Sequence, residues 1–293
     1  NLTINKETDI DDDQKKDGIP YQFQFRGLAA KWNSLAIAFG QSSPYSANIH
    51  GPNYNNTEAQ LEIKSLNYSL AYQVTKNFSV GATYKDLSKY QNYSSFFGTD
   101  VYEEDTVKRT SYSVGVSYRP DNKIGFGLSY SPKVVFESDT LKNVNIGYLD
   151  WQVNDGWFRG AIIPEKVSFG GFFKSSDRFM YIADLDYVRP PDDMVYVESP
   201  FDGNLLSNEK IKTFPVVVVH GGIEYTVLKE KKRNVIWRAG GYREPARVVG
   251  GTDRLHLTMG VEVSLGPIVI AAAMDESNDF TNSTQSIGFS LGE

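Results

Sequence analysis

The sequence predicts an all-β fold, an antiparallel transmembrane β-barrel, and three observations support this prediction. Many segments alternate apolar and polar side chains, which is the period of a strand with one apolar and one polar face. The connections between these segments alternate between short and long. Many of the apolar faces end in an aromatic residue, as in the aromatic girdles of membrane barrels.

The clearest alternation lies near the C-terminus. From Leu255 to Leu265 every odd-numbered residue is apolar, and every even-numbered residue is polar or glycine. Gly266 and Pro267 predict a tight turn, and a second strand follows as far as Met274. This hairpin fits a half-buried soluble sheet as well as a membrane barrel, so the rest of the chain must decide.

The composition narrows the classes of protein. The chain has 293 residues and a net charge of −6, which gives no indication of a nucleic-acid partner. No window approaches the roughly 20 consecutive apolar residues of a membrane helix, but barrel strands distribute their apolar residues in alternation. The absence of cysteine excludes disulfides and thiolate metal sites. Residues 1–18 are polar and acidic, unlike a signal peptide, so an exported protein would have lost its targeting segment.

The whole chain, residues 1–293, is predicted to form one barrel domain. Jelly rolls and propellers also repeat strands, but so many alternating segments with terminal aromatics favour a membrane barrel. The alternation predicts thirteen strands, at residues 20–31, 34–42, 57–75, 78–90, 106–119, 123–136, 162–174, 178–189, 213–228, 234–243, 254–265, 267–275 and 283–291.

The lengths of the connections between strands predict the topology of the barrel. Long and short connections alternate strictly, as extracellular loops and periplasmic turns do in outer-membrane barrels. The short turns are Trp32-Asn33-Ser34, Lys76-Asn77, Pro120-Asp121-Asn122, Ser175-Ser176-Asp177, residues 230–233 and Gly266-Pro267. The long loops are residues 43–56, 91–105, 137–161, 190–212, 244–253 and 276–282.

The alternation of loops places a short periplasmic turn after the first predicted strand, so this strand runs from the extracellular side to the periplasmic side. Residues 1–18 would then be the remnant of an extracellular loop. Bacterial single-chain barrels normally have an even number of strands, so we expect fourteen in the intact barrel, with one outward strand absent from this chain. Dividing residues 137–161 to obtain another strand at residues 144–151 would break the alternation of loops.

Three stretches carry a family resemblance: residues 163–171 (IPEKVSFGG), 123–132 (KIGFGLSYSP) and 235–245 (VIWRAGGYREP). They resemble strands of the FadL/TodX family of outer-membrane channels for hydrophobic compounds, and the resemblance extends over residues 25–291. It implies a fourteen-strand barrel plugged by an N-terminal hatch, in the bacterial outer membrane. The chain departs from the family in lacking the hatch and the first strand, and residues 289–293 lack the usual terminal aromatic.

Two predicted loops are unusually aromatic, and such clusters often mark a capture site for an apolar ligand. Loops packing against each other over the barrel mouth would give the same composition. The predicted ligand-binding residues are Tyr93, Phe96, Phe97, Leu149, Trp151, Trp157 and Phe158.

The polar faces of the strands predict a charged lumen. A solvated lining without a special role would have the same residues, but we expect a salt-bridge network around Arg238, Asp184 and Asp186. The predicted network is Asp184, Asp186, His220, Glu224, Arg238 and Glu262. Glu165 and His256 are predicted on the same face, with Lys108 and Arg119 as further ionic partners.

The sequence has no motif of an enzyme and no spacing typical of metal ligands, so neither catalysis nor a cofactor is expected. The resemblance implies passive uptake of fatty-acid-like or aromatic compounds through a lipid-embedded channel. Barrels of this type also serve as secretion adaptors that bind a protein partner, and this alternative stays open, as does a soluble β-rich adhesin. A protein partner or a separate N-terminal segment is therefore a further expected ligand of the barrel.

Overall fold

The alternating segments form strands of one large antiparallel sheet in the computed structural model. The structure describes residues 2–9, 22–25, 27–50, 58–96, 100–137, 145–146, 151–152, 160–189, 194–195, 210–211, 214–230, 232–246, 253–278 and 282–291. Among these residues, none forms a helix long and apolar enough to cross a membrane.

Fifteen strands belong to the large sheet, and six short ones pair outside it. Those in the sheet are β1 (Leu2–Asp9), β2 (Gln22–Phe25), β3 (Gly27–Trp32), β4 (Leu35–His50), β5 (Glu58–Gln73), β6 (Phe78–Phe96), β7 (Asp100–Tyr118), β8 (Ile124–Ser131), β13 (Glu165–Lys174), β14 (Phe179–Arg189), β17 (Val216–Lys229), β18 (Arg233–Glu244), β19 (Arg254–Leu265), β20 (Ile268–Ser277) and β21 (Asn282–Leu291). The short ones are β9 (Val134–Glu137), β10 (Asn145–Ile146), β11 (Trp151–Gln152), β12 (Gly160–Ile163), β15 (Met194–Val195) and β16 (Lys210–Ile211).

The sheet closes on itself. Its two edge strands are β2 and β3, which are separated in the chain only by Arg26. β2 pairs with β1, which pairs with β21, while β3 pairs with β4 at the other end of the strand order. Counted as one wall strand, β2 and β3 join the two ends and make a barrel of fourteen antiparallel strands. The predicted fold class and the predicted strand number are confirmed.

The prediction that the first outward strand is absent from this chain is wrong. Leu2–Asp9 is that strand, and it pairs with β21 from Leu2 opposite Phe289 to Asp9 opposite Asn282. Residues 2–9 are therefore not an extracellular loop remnant, whereas residues 10–21 lie outside the described part of the chain. The strand escaped the sequence analysis because its polar and charged residues outnumber its apolar ones, so its alternation is weak.

The predicted facing of the alternation is confirmed by the exposure of the side chains. Large apolar residues on one parity are open to the outside of the barrel: Leu70 is 53 % exposed and Leu257 is 59 % exposed. The neighbouring parity, which carries the serines, glycines and charges, faces the lumen. A membrane barrel requires this inside-out arrangement, because lipid contacts its outer face.

Aromatic residues form a belt on the outer face. Phe39, Tyr68, Tyr84 and Tyr112 stand opposite one another on β4, β5, β6 and β7. The rings of Phe39 and Tyr68 are 5.2 Å apart, and those of Tyr68 and Tyr84 are 6.2 Å apart. The next outward-facing residue on β6 is charged Asp86, so this belt marks the outer membrane interface.

All six predicted short turns connect consecutive wall strands, but two of the predicted loops are shorter than expected. The ladder of β6 and β7 continues to Phe96 opposite Asp100, within the predicted loop 91–105. β4 likewise extends to His50, into the predicted loop 43–56. Above the membrane a strand needs no apolar outer face, so the alternation that marks the lipid-embedded part no longer signals it.

Two predicted strands are each divided. Residues 123–136 form β8 and most of β9, and residues 162–174 form the second half of β12 together with β13. The breaks fall at Pro132 and Pro164, which have no backbone N–H to donate to a ladder. Beyond these prolines, β9 and β12 leave the wall and pair with each other.

A charge on the outer face should destabilise the barrel far more than the same charge in the lumen. Val114 faces outward in the lipid-facing part of β7, between Tyr112 and Tyr118, and Ser113 beside it faces the lumen. We expect Val114→Arg to lower the free energy of unfolding from phospholipid vesicles by about 2–4 kcal/mol. The control is Ser113→Arg, which places the same charge in the lumen and should leave the free energy of unfolding close to that of the wild type. Equal losses for the two variants would contradict the assigned facing.

Candidate functional site

The wall of the barrel is interrupted between β2 and β4. β3 pairs with β4 only from Trp32 opposite Leu35 to Gly27 opposite Gly40. Above that point the chain continues as β2, which pairs with β1. Among the described residues, the part of β4 from Gln41 to His50 therefore pairs with β5 alone. We call the interval between β2 and this part of β4 the seam. The seam begins next to Phe39 of the aromatic belt and continues toward the extracellular end of β4, so it lies at and above the outer membrane interface.

Two local features produce the seam. Gly27 has a φ of 148°, a conformation that side chains rarely adopt, and a Cβ there would lie 2.2 Å from the carbonyl oxygen of Phe39. On the opposite strand the register with β5 shifts between Ser42 and Tyr45. This bulge contains Pro44, which cannot donate to a ladder. Both strands therefore deviate where their pairing ends.

An apolar cluster lies inside the barrel near its extracellular end. Ile63 and Leu87 stand on the lumen face of β5 and β6 and are 2 % and 1 % exposed. They are covered by β9, whose Phe136 is completely buried, and Val107 and Ile163 pack against the same cluster. We call these residues, with Val134, the inner apolar cluster.

The β9–β12 pair that builds this cluster is fastened to the wall. Arg109 on β7 donates from Nε to the carbonyl oxygen of Val135 at 3.1 Å. Because β9 and β12 bend away from the wall at two prolines, their side chains can reach the lumen face of β5 and β6. The result is a buried apolar cluster on the inner side of the wall. A second buried apolar cluster, of Val188, Val216 and Val218 with Tyr242 packed against it, lies on β14, β17 and β18.

The predicted lumen network separates into two groups of ion pairs. In the first, Arg238 donates from Nε to Glu224 at 2.8 Å and from Nη1 to Glu262 at 3.0 Å. The three residues come from β17, β18 and β19. One guanidinium thus holds two carboxylates, which leaves this group with a negative charge.

The second group crosses six strands along the lumen. Lys166 donates to Asp186 at 3.1 Å, and Nε2 of His220 lies 3.8 Å from both Asp184 and Asp186. The ring of His220 stacks on Tyr242, and Tyr242 stacks on His256 with centroids 5.0 Å and 4.3 Å apart.

Asp275 ends this second group and joins two of its rings. The hydroxyl of Tyr242 donates to one carboxylate oxygen at 2.9 Å, and Nδ1 of His256 lies 3.0 Å from the other. His256 is almost completely buried, and its Nε2 faces Glu244 at 3.7 Å. Arg238 thus pairs with Glu224 and Glu262 and not with Asp184 or Asp186.

Some polar residues were predicted on the wrong face or missed. Glu165 and Lys108 share the parity of the outward-facing residues of their strands, because Val167 and Tyr112 lie an even number of residues away. Lys166 and Asp275 were missed although both lie on polar faces of alternating segments, a signal that was available. Nothing in the sequence singled out Tyr242, since aromatic residues are expected to face lipid.

Arg119 faces the lumen, but its contact is with an aromatic ring. Its guanidinium lies 5.2 Å from the centroid of Phe172, a cation–π distance. Gly125 makes room for this ring, because a Cβ there would lie 2.3 Å from it.

The side chains of all seven predicted ligand-binding residues lie outside the described part of the structure. Tyr93 and Phe96 are in β6, and Trp151 is in β11, by their backbone. Phe97, Leu149, Trp157 and Phe158 fall outside the described residues altogether. The capture site at these residues stays a prediction.

One carboxyl outside the membrane-spanning segments has a shifted pKa. Asp253, next to β19, accepts a hydrogen bond from the backbone amide of Ala246 at 2.8 Å and pairs with Arg243. These interactions, the backbone hydrogen bond first, hold the pKa of Asp253 below its usual range. The pairing therefore stabilises the β18–β19 connection at neutral pH and is lost as the pH falls through that lowered pKa.

Within the described ranges, no group of three or more His, Cys, Asp or Glu side chains is arranged to hold a metal ion. The arrangement offers ion pairs, stacked rings and an apolar cluster, which are elements of binding and passage.

The fold is similar to those of solved outer-membrane transporters. The toluene transporter TbuX of Ralstonia pickettii matches with a TM-score of 0.66 at 13 % identity, over 100 % of this chain and 88 % of that chain. A FadL homologue of Pseudomonas aeruginosa matches with a TM-score of 0.61 at 13 % identity, over 99 % of this chain and 87 % of that chain. The toluene transporter TodX of Pseudomonas putida matches with a TM-score of 0.59 at 12 % identity, over 98 % of this chain and 85 % of that chain. At such identities the likeness establishes the fold, which is the barrel that the resemblance implied. No family model and no curated protein matches the sequence.

The Arg238 group gives a prediction on stability. Because the guanidinium is 40 % exposed, we expect a double-mutant cycle of Arg238→Met and Glu224→Gln to give a coupling energy of about 1 kcal/mol that decreases with salt. Unfolding by urea in detergent or vesicles measures it. The control is the cycle of Arg238→Met with Glu230→Gln, a residue in a periplasmic turn, which should give no coupling.

The inner apolar cluster gives a second prediction. Phe136→Ala leaves a cavity at a fully buried position, which should detach β9 and β12 locally while the wall stays intact. Hydrogen exchange should therefore accelerate in residues 134–137 and 160–163 and remain slow in β19 and β20. The control Phe126→Ala removes an outward-facing ring and should leave the exchange of β9 unchanged. Faster exchange throughout the wall would contradict a local role.

Proposed function

We propose that this protein is an outer-membrane channel for the passive uptake of hydrophobic small molecules. The observation that carries the proposal is the seam, an interruption of the strand ladder in the wall of a closed barrel. A wall without such an interruption offers a ligand only the polar lumen. The likeness to toluene transporters supports aromatic compounds as substrates, and fatty-acid-like compounds are included because of the sequence resemblance described above.

The proposed path has three stages. The aromatic residues predicted for capture, Phe96 and Trp157 among them, bind the ligand first. The inner apolar cluster then receives it at the inner side of the wall. Because Ile63 and Leu87 are only 2 % and 1 % exposed, this step requires the β9–β12 pair to separate from the lumen face of β5 and β6. The seam, which opens at the aromatic belt, then releases it sideways at the outer edge of the membrane. No energy source is needed, because an apolar molecule gains free energy at each transfer out of water, roughly 25 cal/mol per Å² of apolar surface.

The uptake test uses proteoliposomes in detergent-free buffer with a radiolabelled monoaromatic or a radiolabelled long-chain fatty acid. We expect saturable entry above that into empty liposomes, and a severalfold loss in Phe96→Asp and Trp157→Asp. Ser95→Asp, which adds the same charge beside Phe96 on β6, is the matched control and should take up the compounds normally.

Two results would reject the proposal. Entry equal to that of empty liposomes for both classes of compound would favour the secretion-adaptor function, in which a protein partner binds the outer loops. A protein that remains monodisperse without detergent would reject the membrane barrel itself. Intact-mass analysis of the purified protein would show whether an additional N-terminal segment accompanies the barrel.

A further inference from the structure

A small cavity opens on the lumen face of β18–β21, away from the inner apolar cluster. Its volume is about 320 Å³, which is at the lower limit of small-molecule sites. Four of its lining residues stand opposite one another in a row across four strands: Arg238, Gly260, Ala273 and Ser286. One long side chain followed by three short ones leaves the hollow.

The polar groups of the cavity fall into two kinds. Asp275 at its rim is saturated, because Tyr242 and His256 occupy its two oxygens. Thr258 and Ser286 line the hollow, and neither hydroxyl has a hydrogen-bond partner among the described residues. Arg238 uses Nε and Nη1 on its two carboxylates, so that Nη2 remains without a hydrogen bond in the described structure. The cavity therefore presents unused donors.

The charge around these donors is negative. Arg238 contributes one positive charge, while Glu224, Glu262 and Asp275 contribute three negative ones, a formal sum of −2. A ligand carboxylate would be attracted by a guanidinium that is already neutralised and repelled by the remaining acids. A pure hydrocarbon would displace water from the donors and leave them unpaired, which also weakens binding.

We propose that this cavity is a lumen binding site for small neutral compounds that carry one oxygen acceptor on an apolar ring or chain, such as phenols and ketones. The inference rests on the proposed function and defines its substrate class further. Arg238, Thr258 and Ser286 hold the oxygen, and the apolar part lies against Gly260, Ala271 and Ala273.

Three ligands that share one ring test the class. We expect the purified protein in detergent to bind p-cresol about tenfold more tightly than p-xylene, which lacks the acceptor, and than p-toluate, which adds a charge. Equilibrium dialysis with labelled ligands at neutral pH measures all three. Binding of p-toluate or p-xylene as tight as that of p-cresol would overturn the assigned class.

Variants test the location. Ala273→Leu fills the cavity and should abolish the preference for p-cresol. The control is Ala272→Leu, one residue away on the lipid face, which should retain the preference. Because this control adds the same apolar side chain outside the cavity, it also corrects for ligand that partitions into the detergent micelle. Thr258→Val and Ser286→Ala should weaken p-cresol severalfold and leave p-xylene unchanged. Undiminished p-cresol binding in Ala273→Leu would place the site elsewhere.

The two proposals fail in distinguishable ways. If the wild-type protein takes up hydrophobic compounds into proteoliposomes but Ala273→Leu binds p-cresol normally, the cavity assignment is wrong and the channel stands. If the wild-type protein neither takes up nor binds any of the compounds, the channel function is wrong as well.

Discussion

The structure depends on one constraint: inside a membrane every backbone N–H and C=O group must find a partner within the protein. A sheet satisfies this constraint only by closing, and here closure is made by one short passage of chain, where β2 and β3 continue across Arg26 and join β1 to β4. The alternation of side chains follows from closure, because lipid on one side of the wall and the lumen on the other require two different surfaces at every strand.

Closure also decides where polar chemistry can occur. Within the lipid-embedded part of the wall, the charged residues of the strands are confined to the lumen, where they must pair with one another or remain hydrated. Arg238 and Asp275 illustrate the pairing, since each joins two partners from neighbouring strands. Such pairs fix the register, because a slip by one residue would turn them toward lipid.

The sequence predicts those features that repeat along the wall. Strand facing, the short turns and the count of fourteen all follow from alternation and parity, and the polar faces identified most of the lumen network. Structural features that occur only once in the described wall were not predicted from the sequence. Leu2–Asp9 is a strand with little apolar alternation, and it is recognised only through its pairing with β21. The stacking of Tyr242 between two histidines depends on three strands meeting in one register, which no single segment encodes.

The closure constraint weakens above the aromatic belt, and the strand ladder is interrupted there in more than one place. The seam begins beyond Gly27 and Gly40, next to Phe39 of the belt. The ladder of β7 with β8 likewise ends at Val114, although β7 extends to Asp100. At the seam a glycine with a φ of 148° and a bulge at a proline stand on the two facing strands. Because these residues turn both strands at the level of the belt, the seam is the place in the wall where lateral passage of an apolar ligand is proposed.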